Sequence, residues 1–106
     1  MCSYRALNQI EEEYFRKHPR EIDTYLTEIF NEYANDADSA ALLASLRVIA
    51  KVKGISALAE QTGMTRQGLQ KALSNKGNPR LDSINAIMNA LGYRLIPKKN
   101  RINSVN

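Results

Sequence analysis

Residues 56–74 read SALAEQTGMTRQGLQKALS and predict two short helices joined by a tight turn. Leu58, Ala59 and Thr62 fall on one face of the first helix, because residues three and four apart are neighbours on a helix surface. Gly63 can adopt the positive φ that ends such a helix. Two helices joined by a three- or four-residue turn cross closely only where a side chain is small, and Ala59 meets that condition.

A second helix is predicted to begin after Thr65, which is a suitable N-cap. Leu69, Ala72 and Leu73 form its inward face at helical spacing. Its outward side chains have the donors and acceptors needed for base edges. The residues expected to contact DNA bases are Thr65, Arg66, Gln67, Gln70, Lys71 and Ser74. The spacing alone also fits an ordinary helical hairpin with a solvated polar face.

The flanking sequence favours a DNA-binding motif over a plain hairpin. A helix-forming run precedes the pair, and residues 81–92 give another amphipathic helix that ends in glycine. This order resembles the lambda-repressor and Cro-like (Xre) helix-turn-helix family over residues 41–92. The resemblance implies an all-α fold in which the helix after Thr65 enters the major groove.

Four short segments carry a narrower resemblance: LAEQTGMTR at 58–66, KALS at 71–74, GNP at 77–79 and ALGYRL at 90–95. They are similar to the antidote (antitoxin) proteins of chromosomal addiction modules, which are HigA-like repressors. That resemblance implies a homodimeric repressor of a type II toxin-antitoxin module whose partner is a small basic toxin of the RelE/ParE type.

The loop after the second helix departs from this family at Arg80, where a small capping residue is usual. A cation at a helix N-terminus is unfavourable unless a phosphate binds there. We therefore expect this loop to contact the DNA backbone, although a plain solvated loop is the alternative. The residues expected to contact phosphates are Ser56, Asn75, Lys76, Asn78 and Arg80.

The 106 residues carry a net charge of +4, but the charge is unevenly divided. Residues 1–40 hold four basic and nine acidic side chains, a net charge of −5. Residues 41–106 hold eleven basic and two acidic ones, a net charge of +9. The basic part suits a polyanion such as double-stranded DNA, while the acidic part suits a cationic protein.

The composition argues against several other classes of protein. One histidine, one cysteine and no metal-ligand cluster make an enzyme an unfavourable interpretation, so we expect no catalytic residue, metal or cofactor. No apolar run reaches the ~20 residues of a membrane span, and the start of the chain lacks a signal-peptide pattern. We expect a cytoplasmic protein without a membrane partner.

The acidic part is predicted to be helical. Residues 4–17 have apolar side chains at helical spacing, but the pattern fits equally a helix docked on its own core and one ordered only by a partner. Residues 19–35 form a clear amphipathic helix with an acidic outer face. The candidates for toxin contact are Tyr14, Phe15, Glu21, Tyr25, Glu28 and Glu32.

Residues 39–53 are predicted to form a helix whose apolar side chains cover a wide arc, with Arg47 and Lys51 on its polar side. Such a helix is buried on two sides, so we place it between the helix-turn-helix and the 19–35 helix. Gly54 should end it, and Ser56 should cap the next helix.

The C-terminal part of the chain is β-prone over Tyr93, Arg94, Leu95 and Ile96. A lone strand cannot satisfy its own hydrogen bonds, so this one is irregular or pairs with its copy in a two-fold dimer. We thus expect an acidic helical extension at 1–40, an Xre-type domain at 41–97 that ends in a short strand, and a flexible basic tail at 98–106.

Three functions stay open on the sequence. The first is a sequence-specific repressor that is also an antitoxin. The second is a stand-alone or phage-type repressor without a toxin, in which the N-terminal helices serve only the core and the dimer. The third is a helical protein-interaction adaptor that has lost DNA binding, against which Arg66 and Lys71 argue.

Overall fold

A computed structural model describes residues 4–74 and 78–99, with side chains from residue 10 onward. The described part of the chain is helical and contains no β-strand. Its elements are α1 (Tyr4–Lys17), a 3-10 turn (Pro19–Glu21), α2 (Ile22–Asp36), α3 (Ser39–Lys53), α4 (Ile55–Thr62), α5 (Arg66–Ala72) and α6 (Leu81–Ala90). The all-α prediction is confirmed.

Helix α3 lies at the centre of the fold. It contacts α1 and α2 on one side and α4 on the other. Leu46, Ile49 and Ala50 are fully buried, as the wide apolar arc of this helix predicts. The predicted contacts of α3 with the 19–35 helix and with the first helix of the α4–α5 pair are confirmed.

Helix α1 packs on the core of its own chain, which decides between the two possibilities that its sequence left open. Phe15 is buried, and its ring centroid lies 4.6 Å from that of Tyr25 on α2. Arg16 pairs with Glu12 within the helix, and its Nη2 lies 3.5 Å from the carbonyl oxygen of Lys51 on α3. The ring contact holds α1 against α2, and the hydrogen bond from Arg16 holds it against α3.

The two ends of α3 follow the capping residues in the sequence. Asp38 is its N-cap, and the Asp38 carboxylate accepts a hydrogen bond from the backbone N–H of Ala41 at 3.1 Å. Gly54 ends the helix with a φ of 100°. The prediction that Ser56 caps α4 is wrong, because Gly54 is the N-cap and Ser56 is the second residue of the helix. The positive φ of Gly54 lets the chain turn at one residue, so α4 begins at once.

The helix predicted over residues 19–35 begins as a 3-10 turn and becomes regular only at Ile22. Proline at the start of that turn lacks an N–H to donate, which suits the first turn of a helix. Helix α2 then ends at Ala37, which has a left-handed φ of 55° and donates its N–H to the carbonyl of Tyr33 at 2.7 Å.

Residues 93–99 form neither helix nor strand in the single chain. The backbone N–H of Tyr93 donates to the carbonyl of Met88 at 2.8 Å, which fastens the start of this segment to α6. The pairing with a second copy that was predicted for residues 93–96 stays a prediction. The described helices include none that is long and apolar enough to cross a bilayer.

Candidate nucleic-acid interface

Helices α4 and α5 are joined by a three-residue turn. Gly63 has a φ of 76°, the left-handed conformation expected of it. The backbone N–H of Met64 then donates to the carbonyl of Ala59 at 3.1 Å. Leu58 and Ala59 are buried, so the inner face of α4 packs into the core immediately before the turn. This geometry fixes where α5 begins.

Thr65 caps α5 as its sequence predicts. The Thr65 hydroxyl oxygen accepts a hydrogen bond from the backbone N–H of Gly68 at 2.9 Å. The same oxygen would lie 2.9 Å from a Cβ added at Gly68, a distance that real Cβ contacts do not reach. The cap therefore explains why glycine, a poor helix former, occupies the first turn of this helix.

The two faces of α5 differ sharply in exposure. Leu69 and the following residue on the same face, Leu73, are fully buried. The opposite face is exposed, and we call it the polar face of α5: Arg66, Gln67, Gln70 and Lys71. Ser74 lies just beyond the helix, is partly buried and donates its hydroxyl to the carbonyl of Lys71 at 2.9 Å. The chain thus presents four long polar side chains on a helix whose other side is anchored in the core.

An open groove lies between the end of α5 and the start of α6. Lys71, Ser74, Asn78 and Arg80 line it, so the structure brings together residues predicted to contact bases with residues predicted to contact phosphates. Ser83 lines the same groove and was not singled out from the sequence.

Ser56, another predicted phosphate contact, is not among the residues that line this groove. Ser56 is exposed on α4. Asn75 and Lys76 lie outside the described residues.

Arg80 occupies the N-cap position of α6 without a side-chain hydrogen bond to the helix. Arg80 is exposed, and Asp82 is the acidic residue in the first turn. The unpaired N–H groups at a helix start and the adjacent guanidinium are both complementary to a phosphate group.

Arg47 on α3 is a second residue whose role the sequence did not indicate. Its Nε donates to the carbonyl oxygen of Leu73 at 2.8 Å, at the C-terminal end of α5. Arg47 lies on the polar side of the α3 pattern, as predicted, but its guanidinium is partly buried against the end of α5, whereas Lys51 is exposed.

The acidic residues proposed for a partner lie on another part of the molecule. Glu21, Glu28 and Glu32 are exposed on α2 and the turn before it, and we call them the acidic surface. Tyr14 is exposed too, and its hydroxyl donates to the Glu21 carboxylate at 2.7 Å. That hydrogen bond raises the pKa of the Tyr14 hydroxyl above its usual value.

The remaining candidates for toxin contact are less accessible. Phe15 lies in the core, and Tyr25 is partly buried against the core. Among the described residues with known side chains, no group of three or more His, Cys, Asp or Glu side chains is placed to hold a metal ion.

In the C-terminal segment, Tyr93 differs in exposure from the three residues after it. Tyr93 is partly buried against the core, whereas Arg94, Leu95 and Ile96 are exposed. The exposed fraction of Ile96 is 68%, an unusual value for an isoleucine.

The sequence matches a known protein family over most of its length. The family described as "Probable addiction module antidote protein" matches residues 7–99, which include all six helices except the first residues of α1. The chain belongs to this family. The match covers α2 as well as the α4–α5 pair. An antidote implies a toxin as its partner, and proteins of this family are typically non-enzymatic.

A curated relative is similar over most of the chain. An "Uncharacterized protein" of Haemophilus influenzae (strain ATCC 51907 / DSM 11121 / KW20 / Rd) is 35% identical over 81 residues. The aligned region covers 76% of this antidote-family chain and 79% of the relative. No solved structure matches the chain significantly.

Proposed function

We propose that this antidote-family protein is a sequence-specific DNA-binding repressor, and that it is the antitoxin of a type II module. The observation that carries the first part is the polar face of α5. Arg66, Gln67, Gln70 and Lys71 are all exposed, while Leu69 on the other side is fully buried. A helix anchored in this way and capped by Thr65 has the form of the recognition helix of a helix-turn-helix.

In this proposal residues 41–97 form a lambda-repressor-like, Xre-type domain, and α5 lies in the major groove. Arginine can pair with the O6 and N7 atoms of guanine through two hydrogen bonds, and glutamine with the N6 and N7 atoms of adenine. Arg66 and Gln67 begin α5, and Gln70 and Lys71 follow one turn later. The N-terminal turns of the helix would therefore read the bases.

The groove between α5 and α6 would bind the DNA backbone. Arg80 supplies charge and Asn78 a neutral donor, while Lys71 and Ser74, which are predicted to contact bases, line the same groove. Phosphate contacts hold a protein in register on the duplex but do not read sequence. In this proposal Ser56, Asn75 and Lys76 add further backbone contacts, and the basic tail at 98–106 adds affinity without specificity.

The test compares Arg66→Ala with the wild type on two DNA fragments of equal length. One fragment comes from immediately upstream of the protein's own reading frame, and the other has a random sequence. One base contact supplies roughly 1–3 kcal/mol of discrimination, so the ratio of the two affinities should fall about 5- to 150-fold. Arg20→Ala removes the same charge from an exposed position far from this face in sequence and serves as the control.

The outcome separates base reading from simple charge attraction. An equal loss of affinity on both fragments would show that Arg66 acts only through its charge. A wild-type protein without any preference for its own upstream fragment would contradict the repressor function and favour the helical adaptor.

The second part of the proposal is neutralisation of a small basic toxin of the RelE/ParE type. Membership in the antidote family supports a toxin partner, and the acidic surface supports a cationic one. Glu21, Glu28 and Glu32 are exposed on the side of the fold that carries the net negative charge. Tyr14, exposed beside Glu21, would extend the contact with apolar area.

The test for a partner is co-expression with the products of the neighbouring reading frames, followed by affinity purification. A chain lacking residues 1–40 is unsuitable, because Phe15, Ile22, Leu26 and Ile29 belong to the buried core. The double variant Glu28→Lys, Glu32→Lys leaves that core intact and should abolish co-purification of a basic neighbour. Glu60→Lys changes the charge of an exposed residue on α4 and is the matched control.

Two results would contradict this part of the proposal. If the Glu28→Lys, Glu32→Lys variant still co-purifies the basic neighbour undiminished, the acidic surface is not part of the interface. A shift of the upstream DNA without any co-purifying neighbour would favour a stand-alone repressor instead.

The proposal includes a homodimer, because one recognition helix alone binds DNA weakly. It places the protein in the cytoplasm. Two-fold dimers of such domains read half-sites that are about one helical turn of DNA apart. Residues 93–96 would supply the interface by antiparallel pairing with their copy, since the backbone beyond Tyr93 has no ladder partner among residues 4–74 and 78–99.

A further inference from the structure

Arg47 joins the central helix to the end of the proposed recognition helix. Its Nε donates to the carbonyl oxygen of Leu73, a residue 26 positions later in the chain. Leu73 is fully buried and stands at the C-cap of α5. The α4–α5 turn holds the N-terminal end of α5, and the bond from Arg47 ties its C-terminal end to α3.

Helix α5 depends on such contacts for its position. It has seven residues, and an isolated helix of that length is unstable in water. The last carbonyl groups of a helix have no partner within it, and a cation at that end interacts favourably with the helix dipole. The Arg47 guanidinium meets both needs, whereas Leu69 and Leu73 supply only non-directional packing.

Stability alone does not explain an arginine at this place. The Nη2 atom of Arg47 is buried and has no hydrogen-bond partner among residues 4–74 and 78–99. A buried donor without a partner is unfavourable, so Nη2 offsets part of what the bond from Nε to Leu73 contributes to folding. The directional bond to the end of α5 is what an apolar residue at position 47 could not supply.

We infer that Arg47 is a positioning residue for DNA recognition: it fixes the orientation of α5, so that the polar face meets the base edges in one register. This inference rests on the proposed function. In this arrangement Arg47 does not contact DNA directly, since its Nε is bonded to Leu73 and its Nη2 is buried. It acts through the carbonyl of Leu73, one residue before Ser74 and the groove that binds phosphate.

The test uses the full-length protein with Arg47→Met, which keeps an unbranched apolar stem and removes the charge and the donors. Lys51→Met removes the same charge from an exposed position one turn later on α3 and is the control. Both variants are compared with the wild type on the upstream fragment and on the random fragment, over a series of salt concentrations. Urea unfolding of each variant is measured in parallel.

We expect folded Arg47→Met to lose about tenfold in the ratio of the two affinities, the size expected for one lost base contact. The dependence of affinity on salt should stay unchanged, since a residue that touches no phosphate releases no counterion. A merely structural residue would lower the free energy of unfolding but leave the affinity ratio of the folded protein unchanged. Lys51→Met should keep the wild-type ratio.

Three results would overturn the inference. The first is a folded Arg47→Met variant that keeps the wild-type ratio, and the second is a salt slope that falls by about one, which marks a direct phosphate contact. The third is a wild type without preference for the upstream fragment, which would overturn the proposed function as well. If Arg47→Met does not fold, Arg47→Gln replaces it with the same expected result and the same criteria.

Discussion

The hydroxyl of Tyr93 donates a hydrogen bond to the carboxylate of Asp23, a residue 70 positions earlier in the chain. Asp23 lies in the first turn of α2, and Tyr93 follows the glycine that ends α6. The bond therefore joins the acidic part of the protein to the start of the proposed dimer segment. Tyr93 also packs against the core, whereas the three residues after it are exposed.

This bond predicts a specific loss of stability at high pH. Burial is the main cause that raises the pKa of Tyr93 from 10.0 to about 12. The hydrogen bond to Asp23 and the negative charge of Asp23 add to the rise. A raised pKa in the folded state means that folding favours the protonated hydroxyl. Its contribution is fully present below pH 10 and is lost as the pH rises toward 12. Tyr93→Phe should lack this contribution, so the difference in unfolding free energy between wild type and variant should change over that range.

Urea unfolding at several pH values from 9 to 12 measures the effect. Tyr33→Phe is the control, because Tyr33 is an exposed tyrosine on α2 without a side-chain hydrogen bond to the described residues. Parallel curves for wild type and Tyr93→Phe across this range would show that the Tyr93 hydroxyl does not titrate in the folded protein as described.

The left-handed backbone at Ala37 leads us to expect a stabilising substitution there. Its φ of 55° is left-handed, and it is the residue other than glycine with a positive φ in the described chain. A side chain with a Cβ is disfavoured there by roughly 1–2 kcal/mol, while glycine adopts this conformation freely but loses more entropy on folding. Ala37→Gly should therefore stabilise the protein by about 0.5–1 kcal/mol in urea unfolding.

The control for this substitution is Ala34→Gly in the same helix. Ala34 is exposed and helical, so glycine there should destabilise the protein by about 0.5–1 kcal/mol. Effects of the same sign at both positions would contradict the assignment of Ala37 to the left-handed region.

Thr65 and Gly68 predict a coupled pair of substitutions. Thr65→Ala removes the cap of α5 and should cost about 1 kcal/mol. Gly68→Ala improves helix propensity by about 1 kcal/mol, but its Cβ would displace the capping hydroxyl, so the two effects should nearly cancel. In the Thr65→Ala background the obstruction is gone, and Gly68→Ala should stabilise the protein by about 1 kcal/mol.

A double-mutant cycle by urea unfolding measures this coupling. Additive effects of the two substitutions would mean that the capping hydroxyl and the added Cβ do not compete for the same space.

The sequence predicted the parts of the fold that depend on neighbouring residues. Helix α3 has the predicted limits because Asp38 and Gly54 act locally, as cap and terminator. Thr65 begins α5 for the same reason. The error at Ser56 is also local, since both Gly54 and Ser56 are possible starts and only the backbone conformation at Gly54 decides between them.

The sequence could not predict contacts that join distant segments. Arg47 lies on the polar side of the α3 pattern, but periodicity does not say which element covers that side, and Leu73 is 26 residues away. The apolar face of α1 has the same pattern whether its own core or a partner covers it. The bond from Tyr93 to Asp23 likewise has no signal in either local segment.

The exposed C-terminal segment predicts how the dimer can be disrupted. Ile96 is 68% exposed, and antiparallel pairing of residues 93–96 with their copy would bring it against a second chain. A glutamate there adds a charge that would face its own copy across a two-fold interface, where like charges repel. Ile96→Glu should therefore convert the dimer to a monomer and weaken binding to the upstream fragment, because a monomer reads one half-site.

Light scattering coupled to size exclusion gives the mass, and a DNA shift assay gives the affinity. Ile10→Glu is the matched control, since Ile10 on α1 is 59% exposed but lies outside the proposed pairing segment. If Ile96→Glu stays dimeric, the interface lies elsewhere on the molecule, and the exposed apolar residues of α1 and α6 become the next candidates. If the wild type is itself a monomer off DNA but binds two half-sites cooperatively, the segment pairs only on the operator, and Ile96→Glu should then abolish the cooperativity and leave the affinity for one half-site intact.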